Sequence, residues 1–191
     1  MKEINISIKD LVEFIYGSGS ITNLKDLKRR GHEGTLIHNF WQEKYSQDDK
    51  KEVFITDIYK TSNFKINLSG RIDGVLLRRK KYVIEEIKST KIDLDKLEET
   101  TIPSHFAQAK IYAYIFAKQN ELSKIDVWLT YIKVNDKTVK QFKTNLTIKS
   151  LERFYSKTIN LYIEWQEKII NHEKNRLSSI EGLNFPFKDY R

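Results

Sequence analysis

Three residues that could do metal or acid–base chemistry lie in one stretch of the chain: Asp73, Glu86 and Lys88. They belong to two short runs rich in Ile and Val, which predict a hairpin of two buried strands joined by a basic turn. Alternation along the second strand puts Glu86 and Lys88 on one face. Because two buried carboxylates repel each other, a divalent cation such as Mg²⁺ or Mn²⁺ would stabilise them. Such a cation with a lysine beside it is suited to attack on phosphate esters.

The same spacing also fits an ordinary hairpin in which Glu86 and Lys88 are solvated or paired across a sheet edge. Charged residues make up 31% of the chain, so an acid two positions before a lysine is a weak signal by itself. Other residues that could take part in catalysis or metal binding must therefore decide between a catalytic site and an ordinary hairpin.

His38 is a further candidate for this chemistry. It lies among the apolar residues of a predicted amphipathic helix that begins near Gly34 and continues to Trp41. An imidazole in such a place can bond to a backbone carbonyl at the edge of the core, or it can bind a metal. Gly34 stands one turn earlier, where the lack of a side chain would let backbone or a phosphate approach the imidazole. Both interpretations of His38 stay open from its position.

Gln108 and Tyr112 stand four residues apart on the helix with the clearest pattern, which runs from Pro103 to Lys118 with Ser104 as its expected cap. The spacing puts both side chains on one helix face, so an amide and a phenol could point together at a site or at a substrate phosphate. A tyrosine at the core boundary and a solvated glutamine would show the same spacing.

Strands with alternating apolar residues are predicted on both sides of this helix. Residues 52–59 and 63–68 lead directly into the hairpin, which predicts four consecutive segments of an antiparallel meander. Residues 125–134 and 138–146 predict two further strands that extend the sheet. Because a helix separates the hairpin from the later strands, the strands on either side of it are expected to be parallel neighbours.

Two more helices are predicted at the ends of the chain. Ser7 can cap the first, over residues 8–15, and Gly17 and Gly19 can end it. The last spans residues 147–177 and carries an apolar stripe that would pack on the sheet. The chain of 191 residues thus suits one α/β domain with a helical appendage.

Composition limits the partners and the chemistry. A net charge of +8 favours an anionic partner, and nucleic acid is the first candidate. A general bias towards lysine in the composition could also produce this charge. The chain has no cysteine, which excludes disulfides, thiol nucleophiles and cysteine-ligated clusters. The sequence shows no apolar stretch long enough to span a membrane and no leader, so a soluble, cytoplasmic protein is expected.

Four motifs occur in a fixed order along the chain: Gly34-x-x-x-His38, Gly70-x-x-Asp73, Glu86-x-Lys88 and Gln108-x-x-x-Tyr112. With the strand or helix predicted under each, this order resembles the PD-(D/E)XK nuclease superfamily, specifically its RecB-like branch. The resemblance covers residues 34–112 by motif and most of the chain by element order.

The resemblance implies an α/β, restriction-endonuclease-like fold, which is a mixed β-sheet flanked by helices. It also implies an enzyme that hydrolyses phosphodiester bonds. It implies these roles: His38, Asp73, Glu86 and the backbone carbonyl of Ile87 as ligands of Mg²⁺ or Mn²⁺, Lys88 as the residue that positions water, and Gln108 and Tyr112 as substrate-binding residues. Asp73, Glu86 and Lys88 form the implied catalytic set. Several members of the branch hold an iron–sulfur cluster on four cysteines, and this chain has none. Glu85 is expected on the opposite face, and only the spacing to Lys88 selects Glu86.

The last residues, 183–191, resemble the segment before the first ATPase motif of XPD- and DinG-type helicases, some of which carry such a nuclease domain at the N-terminus. We therefore expect a nuclease domain over 1–182 and a linker to a possible helicase domain in the same longer chain. The expected activity is that of a DNA exonuclease in repair or recombination. The alternatives are a nucleic-acid-binding module, or a helicase-associated domain, with little or no cleavage.

Overall fold

A computed structural model of the protein describes residues 1–17 and 24–181, so the segment 183–191 and Gly19 lie outside the described residues. The elements follow in chain order: β1 (Lys2–Ser7), α1 (Ile8–Tyr16), α2 (Leu24–Gln42), β2 (Lys50–Lys60), β3 (Phe64–Arg78), β4 (Lys81–Thr90), α3 (Pro103–Gln119), β5 (Lys124–Lys133), β6 (Val139–Thr147) and α4 (Ile148–Glu181). A single 3₁₀ turn, Leu94–Lys96, lies between β4 and α3. Within this part of the chain, no helix is long and apolar enough to cross a membrane.

The six strands form one mixed sheet in the order β1-β3-β4-β5-β6, with β2 paired to β3. The pairs β1–β3 and β4–β5 are parallel, and the other pairs are antiparallel. Because α3 connects β4 to β5, the parallel crossover expected from the sequence is confirmed. The α/β class and the mixed sheet flanked by helices are confirmed with it.

Two apolar clusters show that helices cover both faces of the sheet. The larger contains residues of α1, α3 and α4 against β2–β5. The smaller joins Ile37 of α2 to Ile87 of β4 and Ile132 of β5. Since Ile87 alternates with Glu86 and Lys88, α2 covers the face opposite to that of those two charged residues.

The ends of two helices test the predicted caps. The Ser7 side chain accepts a hydrogen bond from the Asp10 backbone N–H, and Gly17 caps the other end of α1, as predicted. At α3 the predicted cap is wrong. The N-cap residue is Ile102, which makes no side-chain cap, because Pro103 with its restricted φ already occupies the first helical turn. Ser104 consequently lies inside the helix and is buried.

Two expectations about the strands are also wrong. The meander of four segments is three strands, because the segment ending at Leu68 and the hairpin strand are one continuous β3 of 15 residues. The strand β1 was not predicted at all. It pairs in parallel with the first half of β3, from Lys2 beside Phe64 to Ser7 beside Ser69. That pairing joins segments more than 60 residues apart, and a short run of alternating charges does not predict it.

Candidate metal centre

The candidate site lies where two strands share one edge of β3. Along this edge β1 pairs as far as Ser69 and β4 begins to pair at Gly74. Residues 70–73 between them, here called the fork, pair with neither strand on this edge, so their backbone groups need other partners. Side chains provide some of them, from the motif residue Tyr112 and from Gln42, which belongs to none of the motifs.

The alternation of side chains between the two faces of β3 is interrupted in the fork, near Asp73. Ile72 and Val75 both enter the larger apolar cluster, although residues three apart in a regular strand face opposite ways. Across the pair, the register with β2 runs from Lys51–Gly74 to Val53–Ile72, which places Glu52 opposite Asp73. Glu52 has a φ of 52°, in the left-handed region that side chains other than glycine rarely adopt. The two strands therefore bend together at Glu52 and Asp73.

Asp73 connects the strands and α2. One carboxylate oxygen, Oδ2, accepts a hydrogen bond of 2.7 Å from the backbone N–H of Ile87, the point where β4 leaves β3. The other oxygen, Oδ1, lies 3.4 Å from Nδ1 of His38. Burial lowers the pKa of His38, but the hydrogen bond and charge of Asp73, with the charge of Glu86, together outweigh burial, and the net shift is upward. The predicted partners His38 and Asp73 are thus brought together.

Glu86 and Lys88 form a buried ion pair on β4. Nζ of Lys88 lies 2.8 Å from Oε1 of Glu86. Oε2 of Glu86 is buried and has no hydrogen-bond partner among the described residues. Burial, with the charge of Asp73, raises the pKa of Glu86, and Lys88 opposes that rise. Burial also depresses the pKa of Lys88, but Glu86 outweighs it, so the ammonium form is favoured.

Gln108 and Tyr112 support this pair from α3. Oε1 of Gln108 accepts a hydrogen bond of 3.1 Å from Lys88, and Nε2 donates to the Tyr112 hydroxyl at 3.3 Å. That hydroxyl also accepts a hydrogen bond from the backbone N–H of Arg71 in the fork. A Cβ on Gly70 would lie 2.6 Å from Cε1 of Tyr112. Gly70 is therefore required for the close approach of the tyrosine ring.

Glu85, the neighbour of Glu86 on β4, faces away from the candidate site. Its carboxylate is buried on the α2 side and is bonded by four donors, from Trp41, Tyr45, Thr130 and Gln141. Such a carboxylate has little capacity left for a metal. The buried carboxylate oxygen without a partner in the described part of the chain belongs to Glu86, which lies on the other face of β4 with Lys88.

Sequence reasoning missed Glu52 and Gln42. Nε2 of Gln42 donates to Oε1 of Glu52 and to the backbone oxygen of Asp73, each at 2.9 Å. Ligand atoms of His38, Glu52 and Asp73 all lie within 4.8 Å of one another. Glu86 is not part of that group of three. No local signal marks Glu52, because an acid near the start of a half-exposed strand is ordinary.

The donor set fits a divalent cation. An imidazole and carboxylates converge at the fork, and one buried carboxylate oxygen, Oε2 of Glu86, has no partner in the described ranges 1–17 and 24–181. Oxygen ligands suit Mg²⁺ and Mn²⁺, and imidazole suits Mn²⁺. A divalent cation would also offset the burial and the charge of Asp73 that together raise the pKa of Glu86.

Comparisons with known proteins show the family to which the chain belongs. The family model of the PD-(D/E)XK nuclease superfamily matches residues 27–191. No curated protein matches. The fold is similar to the crystal structure of SSO0001, at 19% identity and a TM-score of 0.50, over 84% of this chain and 78% of that one. A phage-related exonuclease from Haemophilus somnus 129PT is similar at 10% identity and a TM-score of 0.44, over 85% and 82% of the two chains.

The matched region contains all four motifs, the fork between β1 and β4, and the buried acid–lysine pair of β4. The match extends over most of the chain and begins within α2, the helix that carries His38. The chain therefore belongs to the PD-(D/E)XK nuclease superfamily.

Proposed function

We propose that this chain is a metal-dependent DNA nuclease that hydrolyses phosphodiester bonds, and that it acts as an exonuclease in DNA repair or recombination. The observation that carries the proposal is the buried Glu86–Lys88 pair beside Asp73, with a carboxylate oxygen of Glu86 left unpartnered. Burying such an oxygen without a partner is unfavourable, so its retention is better explained by a ligand than by stability.

The proposed ligands of the cation are His38, Asp73, Glu86 and the backbone carbonyl of Ile87. When bound, Mg²⁺ or Mn²⁺ supplies a Lewis acid for a phosphoryl oxygen and lowers the pKa of a water molecule. The protein contributes the alignment. Asp73 is held by the Ile87 N–H, which keeps its other oxygen directed at His38.

Lys88 is proposed to orient the attacking water and to stabilise negative charge on the phosphate. An ammonium has three N–H donors, and the hydrogen bonds of Nζ to Glu86 and Gln108 use two of them. The third is available to a water or a phosphate oxygen. Gln108 bonds Lys88, and Tyr112 bonds Gln108, so these two residues of α3 help to hold the ammonium in place. Their direct contact with substrate stays a prediction.

The substrate class rests on charge and on the resemblance. The net charge of +8 favours a polyanion. The four motifs resemble the RecB-like branch, whose members commonly degrade DNA from ends. The helicase partner stays a prediction as well, since it depends on residues 183–191.

The test separates an enzyme from a binding module. End-labelled single- and double-stranded DNA is incubated with Mg²⁺, Mn²⁺ or chelator, and products are resolved by length. Cleavage with metal and none with chelator is expected, with short products from the ends for an exonuclease and internal fragments for an endonuclease. No cleavage by the wild-type protein with either metal would refute the nuclease proposal and favour a binding module.

The Lys88→Ala variant then assigns the role of the lysine. Its cleavage rate should fall by about 10²-fold or more, because a donor to transition-state charge is lost. DNA affinity should barely change, since one lost phosphate contact shifts the salt slope by about one unit at most. Lys174→Ala on the exposed end of α4 removes the same charge and should keep both properties. Equal losses of binding and cleavage in Lys88→Ala would make Lys88 a binding residue.

A further inference from the structure

The sheet has one face that no helix of the described ranges covers over β1, β2 and β3. These strands direct their apolar side chains towards α1, α3 and α4, whereas α2 packs on β4 and β5. The uncovered side, here called the open face, carries the side chains that alternate with the buried ones. Its members include Phe54, Ile58 and Lys60 of β2 and Lys65 and Arg71 of β3.

Two apolar side chains on the open face are in contact with solvent. Phe54 is 65% exposed, more than any other large apolar residue of the described ranges except Met1. Ile58, four residues later on the same face, is more than half exposed. A lone exposed apolar residue is ordinary in a soluble protein. These two form an apolar strip with polar residues around it, which is typical of a binding surface.

Phe54 lies beside the candidate metal centre. It pairs with Arg71 of the fork, and side chains directly opposite each other in an antiparallel pair share one face. Arg71 stands two residues before Asp73, about 7 Å along the strand. Its backbone N–H bonds the Tyr112 hydroxyl, while its side chain is exposed. The nucleotide next to a phosphate at the metal centre would therefore reach both Phe54 and Arg71.

The charges of the open face suit a polyanion. Lys65 and Glu3 pair with each other at 2.8 Å. Arg71 has one ion-pair contact, at 3.9 Å from Glu52 between two exposed side chains, where such pairs contribute little. Lys60 is exposed at the far end of the face. Positive charge is thus available at both ends of the apolar strip, and single-stranded nucleic acid binds to such surfaces through stacked bases and paired phosphates.

We propose that the open face binds single-stranded DNA next to the cleaved phosphate, with one unpaired base stacked on Phe54 and its phosphate contacted by Arg71. A base inside a duplex is already stacked and paired, so its ring face is not available to Phe54. The open face therefore selects DNA that is unpaired beside the metal centre. This inference rests on the proposed nuclease activity and deepens it by naming the form of the substrate.

Fluorescence anisotropy of the whole chain tests the assignment in the presence of chelator, which prevents metal-dependent cleavage. The probes are a labelled oligothymidine strand and a labelled blunt duplex of the same length. Phe54→Ala should weaken binding of the single strand by about 5- to 100-fold, as expected for one stacked base, and should leave binding of the duplex unchanged. Phe54→Trp should restore the affinity for the single strand, because the indole ring also stacks.

Two more variants separate stacking from charge and from general effects of losing an aromatic ring. Arg71→Gln should reduce the salt slope of single-strand binding by about one unit. Phe14→Ala removes the same side chain from a half-exposed position on α1, which packs on the other side of the sheet, and should bind both probes as wild type does. Since Phe54 buries little surface, Phe54→Ala should melt close to the wild-type temperature.

The outcomes separate this inference from the function it rests on. A loss confined to the single strand in Phe54→Ala, restored in Phe54→Trp and absent in Phe14→Ala, supports the assignment. Unchanged affinity in Phe54→Ala, or equal losses for single strand and duplex, would overturn it. If wild type binds neither probe, the open face is not a DNA-binding surface. In each of these cases the cleavage assay with metal still decides the nuclease proposal independently.

Discussion

Replacing Gly70 by alanine tests the contact that joins the fork to α3. The added Cβ would lie 2.6 Å from Cε1 and 2.9 Å from the hydroxyl of Tyr112, and 3.2 Å from Cδ1 of Ile8. Ordinary contacts begin at 3.4 Å, so the ring must move. Tyr112 is only 3% exposed and its hydroxyl bonds Gln108 and the Arg71 backbone, so the ring has no free volume to enter.

The expected loss follows from overpacking in a closed core. Forced shifts of this kind cost about 1–3 kcal/mol, which lowers the melting temperature of a chain of this size by about 3–10 °C. A displaced Tyr112 also releases Gln108 from its place beside Lys88, so kcat should fall, by up to about 10²-fold. KM should change less, because the affinity of a chain with a net charge of +8 for a polyanion is spread over many phosphate contacts.

The assay is a double-mutant cycle read by thermal melting. Tyr112→Leu removes Cε1 and the hydroxyl, so Gly70→Ala in that background should cost little, with a coupling of about 1–2 kcal/mol. Gly31→Ala is the matched control, since a Cβ there meets nothing within 4 Å. It lies in α2, so alanine should stabilise it by about 0.5–1 kcal/mol. Gly70→Ala melting at or above wild type, or losing as much in the Tyr112→Leu background, would refute the reasoning.

Two further predictions concern buried titratable groups. Burial, with the charges of Lys88 and Lys9, lowers the pKa of His105 from 6.5 to about 3. Below pH 6.5 the unfolded chain gains a proton that the folded chain refuses, so the free energy of unfolding should fall as the pH drops towards 3, by about 2 kcal/mol at pH 5. Urea unfolding at pH 7 and pH 5 should show this loss in wild type and not in His105→Gln, and identical losses in both would contradict it. On β4, Glu86→Gln should lower the metal-free melting temperature, because it leaves the buried ammonium of Lys88 without its charged partner at 2.8 Å, and it should weaken Mn²⁺ binding. Glu85→Gln should also lower that temperature, by about 5 °C or more, since it disturbs four hydrogen bonds, but it should keep Mn²⁺ binding; loss of Mn²⁺ binding in Glu85→Gln and not in Glu86→Gln would mean that Glu85 is the ligand.

Local patterns were sufficient for most of the helices and for the opposite faces of Glu85 and Glu86. Helical spacing predicted α1, α3 and α4 to within a few residues. The period of two separated Glu86 from Glu85, and the structure places them on opposite faces with different partners. The helix between the hairpin and β5 predicted the parallel pair, because a parallel connection needs a crossover. The first two follow from the helical and strand periods, which the order of residue types records directly, and the third follows from the helix that the chain places between the two strands.

The assembly of the site required contacts between distant segments. That β1 shares an edge of β3 with β4, and so leaves the fork open, depends on a pairing across more than 60 residues. The contact between Gly70 and Tyr112 explains two motifs at once, but neither motif alone reveals it. Glu52 carries no sequence signal, since its place beside His38 and Asp73 depends on a positive φ within β2 and on the packing of α2 against β3. Amino-acid types and their spacing determined which groups could act, whereas only the tertiary structure decided which of them meet, because convergence depends on long-range packing that no local period encodes.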